Sequence, residues 1–531
     1  MTMEPAEPAA TEGVPGAHPP RRPHRSAPGA AVARRGARTG LLLFVFVLLV
    51  YGGTAGGSLA TTDAVVTYTL TRQIVEHGTV ALPGDMLGNA AHRGVHGRYY
   101  SPFGLAQSVY NVPFYLAGRA AARLVGNRIG REDAIEKATV ALGNCLPMAA
   151  TAWIVYLFTA GCVRRRSAAL ATALAAAFAT PAWPYARFGF NVPLAALAVT
   201  GAGYLAWRAT RAGGSAAPVG LMLSLSLLTR HELLLAAIPV ALWFALDSVS
   251  RRDALRRLLA TAGGLAPGIL LWLAYNAVRF GNPLDAGYLR DATPEFGSSL
   301  LTGTFGLLLS PAASLLVYAP LTLVTFATLR HVWRRDRRLL LLLLGPLVLF
   351  VAFYAQLGNW MGGRSYGPRY LMPFLPLTVV ALGFAFDAAS AGAWRRLAVV
   401  SALCAAVQLP GVLVDFAKVG VQHARAHGAP TREDRLHDWS TAPLVLNARA
   451  SVAALSRTAR VLSGVEPVPT ARPGSATDRD FSQQFVFSLD FWWLYLHYMR
   501  VVPRSVAVGI GCVLLGAAAV LGWRLCVSGS R

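Results

Sequence analysis

Lysine is almost absent from this chain: of 49 basic residues only Lys137 and Lys418 are lysines. With the heavy Ala and Gly load, this points to GC-biased coding rather than a demand for guanidinium at every position. A single arginine therefore carries little functional weight by itself. Charge of either sign is scarce, at 14% of residues, and the 25 acids fall well short of the 49 bases, leaving a formal net charge of +24. That excess excludes a nucleic-acid partner by its distribution, because the basic residues sit in short clusters at the ends of apolar runs, the pattern that orients membrane spans. Cysteine is rare too. Cys145, Cys162, Cys404, Cys512 and Cys526 are far apart and odd in number, which excludes a disulfide framework and any familiar metal-ligand spacing.

What the chain has in abundance is apolar sequence. Hydrophobic residues make up 54% of its 531 positions, many in runs of about 20, enough to cross ~30 Å of hydrocarbon. The composition predicts an all-α polytopic protein of the cell (inner or plasma) membrane. Residues 1–39 are rich in Pro, Ala, Gly and Arg and read as a disordered cytoplasmic tail, held inside by Arg21 to Arg38. The apolar run Leu41 to Val50 reads as the first transmembrane helix; a cleaved signal peptide is the rival, disfavoured by the long polar lead and the many later spans. Inner turns follow from Arg164-Arg165-Arg166, Arg208 and Arg211, Arg251 to Arg257, Arg334 to Arg338 and Arg395-Arg396. They yield about twelve spans with both termini cytoplasmic. The fifth, near Ala217 to Thr229, is short for a full crossing, and a re-entrant reading would redraw the middle of the topology.

Two outer segments are too long to be turns. The first, about 61–133, is a large extracytoplasmic loop holding Asp63, an amphipathic stretch Val65 to Glu76, and Tyr99-Tyr100-Ser101-Pro102-Phe103-Gly104. After these, Leu105 to Leu124, with polar Gln107, Asn111 and Arg119, reads as a surface-lying, partly inserted helix. The core is thus 40–414, followed by a polar extracytoplasmic segment at 415–500 and a last helix with a short cytoplasmic tail at 501–531. The aromatic cluster Phe491 to Tyr498 reads as an interfacial anchor, with carbohydrate or lipid contact as the alternative.

Arginines recur on the outer face, against the orientation rule: Arg187, Arg230, Arg279, and Arg364 with Arg369 in the loop Asn359 to Tyr370. Snorkelling to headgroups explains any one of them. As a set they imply an outward-facing cavity for an anionic ligand, for which arginine's bidentate geometry suits phosphate. Asp63 adds a carboxylate just beyond the first span, readable either as an N-cap for the helix starting at Ala64 or as a general base.

Asp63, the turn Thr229-Arg230-His231-Glu232, the stretch from Tyr275-Asn276 to Gly287-Tyr288, and Trp360 to Tyr370 together resemble bacterial members of the GT-C superfamily. These are multi-span glycosyltransferases, including the protein O-mannosyltransferase-like (family 39-like) enzymes, that use polyprenyl-phosphate-linked sugars. The likeness spans roughly residues 40–500. It implies inverting sugar transfer to an acceptor hydroxyl on the extracytoplasmic face, with Asp63 as base and Arg364, Arg369, Arg230 and Arg187 holding the donor phosphate. Glu232, His231, Asp285, Tyr366 and Arg279 would orient the acceptor, and a divalent metal is left open. Where many relatives carry an Asp-Glu pair, this chain has Asp63-Ala64, and Asn191 stands where an acid is common. The expected partners are a polyprenyl-phosphate-linked sugar, membrane lipids and an acceptor the sequence does not identify. A transporter or flippase, or a polymerase or ligase of lipid-linked saccharides, are the competing readings. No internal repeat favours the transporter.

Overall fold

Small residues decide how closely the helices of this protein pack. In the computed structural model, which describes residues 30–59, 61–84, 91–125, 132–287, 296–468 and 488–529, almost all regular structure is helical. Four segments among these are long and apolar enough to cross a membrane: Gly36–Gly53, Ala134–Cys162, Arg251–Phe280 and Arg504–Val527. Shorter apolar helices lie between them, among them Arg166–Phe178, Leu300–Leu309, Leu339–Tyr354 and Met372–Ala388. The first helix begins at Ala30, so the end of the expected tail is helical, while the tail up to residue 29 lies outside the described residues.

Alanine fills the core where Cys145–Cys162, Arg166–Phe178 and Val192–Arg211 meet. Closer still is the pairing of Ala217–Thr229 with Arg251–Phe280. A Cβ on Gly220 would fall 2.0 Å from the Thr261 carbonyl oxygen, and one on Gly264 2.1 Å from that of Ala217. Only glycine permits this backbone contact in an apolar medium. The 13-residue helix Ala217–Thr229 is about 20 Å long at ~1.5 Å per residue, short of the ~30 Å hydrocarbon layer. It opens into the 3-10 turn His231–Ala236 before the chain continues as Ala237–Asp247.

The described residues of the segment 61–133 fold as a helical layer. Helix Leu105–Val125 packs against both Thr62–His77 and Glu132–Gly143, and its polar residues find protein partners instead of a membrane surface. Gln107 donates to Asn111 at 2.9 Å and to Asn144 at 3.1 Å, and Arg119 pairs with Glu76 at 2.9 Å. Three two-residue strands, with Tyr99–Tyr100 between Ala81–Leu82 and His92–Arg93, form a small antiparallel sheet beside it.

The aromatic cluster of the second outer segment also turns inward. Trp493, Tyr495 and Tyr498 are buried, and the indoles of Trp492 and Trp493 donate to the Gly52 and Gly53 carbonyls at 2.8 and 2.9 Å. These carbonyls lie at the C-terminal end of the first helix, that of Gly52 also accepting from Ala55 N at 3.5 Å, so the cluster caps the helix end.

Candidate functional site

Thr61, not Asp63, is the N-cap of helix Thr62–His77: its side chain accepts from Ala64 N at 3.4 Å. That leaves the Asp63 carboxylate, in the first turn, free to reach outward. It meets the guanidinium of Arg369.

Arg369 owes its position to the glycine-rich loop. Gly362, Gly363 and Gly367 have φ of +71°, +76° and +76°, a left-handed conformation that side chains resist. At Gly367 a Cβ would also lie 2.5 Å from Tyr318 Cβ. The turn is pinned from behind by buried Trp360 and Tyr366, the latter donating to the Val407 carbonyl and packing edge-on against Tyr318. Arg369 then donates to the Gly362 carbonyl at 3.1 Å and lies 4.5 Å from the Phe190 ring centroid. Burial opposes its charge, but Asp63 alongside outweighs burial and holds the guanidinium above its ordinary pKa.

A second ion pair faces the first across an aromatic wall. Arg230 pairs with Glu232 at 2.8 Å, and the Tyr354 hydroxyl donates to the same carboxylate oxygen at 3.0 Å. Tyr370, next in sequence to Arg369, stacks on Tyr354 at 4.5 Å, with Arg230 5.0 Å from its centroid. Two cations and two carboxylates therefore balance in one place. Neighbouring Asn191 buries a side-chain oxygen with no partner among the described residues.

His231 sits just behind Arg230. The Trp272 indole can only donate, so its 2.8 Å bond makes His231 Nδ1 the acceptor and puts the ring proton on Nε2, 3.4 Å from the Pro102 carbonyl. Arg279, fully buried, donates to the Ser101 carbonyl and, at 2.7 Å, to Asn276 Oδ1. His231 and Arg279 thus tie the segment Tyr99–Gly104 to the turn that carries Arg230.

Not every expected residue converges here. Arg187 is fully buried in a knot of acceptors elsewhere: the Thr54 and Asp490 carbonyls, that of Gly411 at 3.1 Å and the Asp490 carboxylate at 3.1 Å. Tyr366 buttresses the loop. Asp285 accepts from Gly287 N at 2.8 Å within its own turn, and Tyr288 lies outside the described residues. Arg364 is exposed and makes no hydrogen bond or ion pair with Asp63 or Arg230, lining instead a pocket in which neither takes part. Sequence reasoning missed Tyr354, Trp272 and Phe190 altogether. Tyr370 carried a signal, as the aromatic directly after Arg369. No group of three or more His, Cys, Asp and Glu converges among the described residues.

The chain is thus an all-α membrane protein with a charge-balanced polar site between its first outer loop and the Trp360–Tyr370 turn. No family model matches it, and no curated protein does. Among solved structures it is similar to ArnT from Cupriavidus metallidurans in the apo state, with 14% identity, 91% of this chain and 77% of that one covered, and a TM-score of 0.49. The same protein bound to undecaprenyl phosphate gives 16% identity, 93% and 78% coverage and a TM-score of 0.46. For the Archaeoglobus fulgidus oligosaccharyltransferase the figures are 12%, 88% and 63%, and 0.38. Likenesses of this order assign no activity, substrate or residue role here.

Proposed function

We propose that this protein is a membrane glycosyltransferase of the GT-C type, moving a sugar from a polyprenyl-phosphate carrier to an acceptor hydroxyl on the extracytoplasmic face with inversion. The observation that carries this reading is the meeting of the first-loop carboxylate Asp63 with Arg369, whose Nε has no hydrogen-bond partner among the described residues. In the charge-balanced site an incoming phosphate competes with the carboxylates for the guanidiniums. When Arg369 turns to the phosphate, Asp63 is released as a base.

The acceptor oxygen then attacks the anomeric carbon as Asp63 takes its proton. The bond from that carbon to the phosphate oxygen breaks, and the carrier leaves as a phosphate monoester. Arg369 and Arg230 face the charge that grows on the departing oxygen, where stabilisation lowers the barrier. Glu232, held by Arg230 and Tyr354, sets the orientation of Arg230. The neutral His231 and the buried Arg279 hold the segment Tyr99–Gly104.

The test is transfer by purified full-length protein from a polyprenyl-phosphate-linked sugar. Asp63→Asn should cut turnover by between roughly a hundred- and ten-thousandfold, the range for losing a general base, while leaving donor binding in place. Wild-type turnover by a folded Asp63→Asn protein would remove the base assignment.

A further inference from the structure

Residues of the Trp360–Tyr370 loop also line a second, basic pocket. Arg364 and Arg435 line it with Ser365, His423, Thr441 and Asn447, and no carboxylate is among its lining residues. It is walled by helices Phe416–His427, Arg432–His437 and Pro443–Ser463 of the second outer segment.

Three observations mark it as built for an anion. Arg364 makes no hydrogen bond or ion pair with the described residues, although other outer-face arginines, such as Arg230 and Arg369, are matched by carboxylates. Arg435 is turned toward the pocket by a 3.3 Å bond to the Pro430 carbonyl and a 3.1 Å contact with Met361 Sδ, neither of which neutralises it. Burial, and then the like charge of Arg364, depress its pKa. Asn447 is 1% exposed, yet neither its amide nitrogen nor its oxygen has a hydrogen-bond partner among the described residues. A buried amide in that state costs free energy unless a ligand answers it.

We propose that this pocket is an oxyanion site for a phosphoester, held by Arg364 and Arg435 with the Asn447 amide as a neutral donor. Two guanidiniums suit the oxygens of a tetrahedral phosphate. Such an anion also removes the repulsion between the two cations. Neither Asp63 nor Arg369 lines the pocket, and the proposal does not depend on transfer chemistry.

Calorimetric titration of the full chain in phosphatidylcholine nanodiscs with inorganic phosphate tests this. Arg364→Glu changes an exposed residue, so the fold is kept. It should weaken one class of binding by about tenfold or more, the scale of one charge-assisted hydrogen bond. Arg369→Ala should leave that class unchanged. No effect of Arg364→Glu, loss of the class in Arg369→Ala, or equal binding of acetate would each overturn the proposal. Displacement by glycerol phosphate marks a soluble phosphoester and displacement by short-chain phosphatidylglycerol alone marks a lipid headgroup; either supports the site. Displacement by neither overturns the phosphoester assignment.

Discussion

Two arginine–aspartate pairs in this protein look alike in sequence and behave as opposites. Arg187 and Asp490 are 0% and 3% exposed, and the arginine also donates to the backbone carbonyls of Thr54, Gly411, Val414 and Asp490 itself. Arg369 and Asp63 are 11% and 24% exposed, and Arg369 keeps Nε uncommitted. A saturated pair can only hold structure together. An accessible pair with a donor to spare can exchange its partner for a ligand at modest cost, which is what a site must do.

The comparison breaks most readily at the knot. Asp490→Ala strands a buried guanidinium and should cost about 3–5 kcal/mol, whereas Asp63→Ala, leaving Arg369 near water, should cost about 1 kcal/mol or less. Thermal unfolding of both variants in detergent reads the contrast, and equal losses would dissolve it. Next in size, Arg369→Ala should raise the donor KM at least about tenfold, and Arg369→Lys should recover only part, since a point charge replaces a fork. A KM unmoved by either change would leave Arg369 as structural as Arg187. Smallest is the aromatic wall. Tyr370→Leu should weaken donor use by a few fold, matching about 0.5–1 kcal/mol of cation–π attraction, and Tyr370→Phe should restore it. Steady-state kinetics on the pair would sharpen how far Arg230 relies on that ring.

Much of the fold could be read from residue types. The helix-forming apolar runs follow from hydropathy, and so do the long less apolar stretches between them. The short run Ala217 to Thr229 was visible as an anomaly, but its close seat against Arg251–Phe280 was not, because it needs Gly220 on one helix and Gly264 and Gly268 on the other. The aromatic run before the last helix gave no sign of its partners, because nothing in Trp492-Trp493 says that they are the carbonyls of Gly52 and Gly53.

Within the site, Asp63 and the Gly-rich turn were legible. Their contact was not, because 306 positions separate Asp63 from Arg369. Tyr354 and Trp272 gave no sign, being ordinary aromatics in apolar helices until the fold aims one hydroxyl at Glu232 and one indole at His231.

The sequence by itself determined that this is a membrane protein whose arginines recur at the ends of apolar runs, since apolar length and flanking charge are local quantities. Only the tertiary structure decided which of those arginines are spent. Arg187 and Arg279 are consumed largely by carbonyls that no motif encodes, Arg230 and Arg369 are balanced by carboxylates at an accessible site, and Arg364 faces another pocket with no counter-charge. An arginine's role depends on which acceptors reach its donors, and those acceptors come from distant parts of the chain.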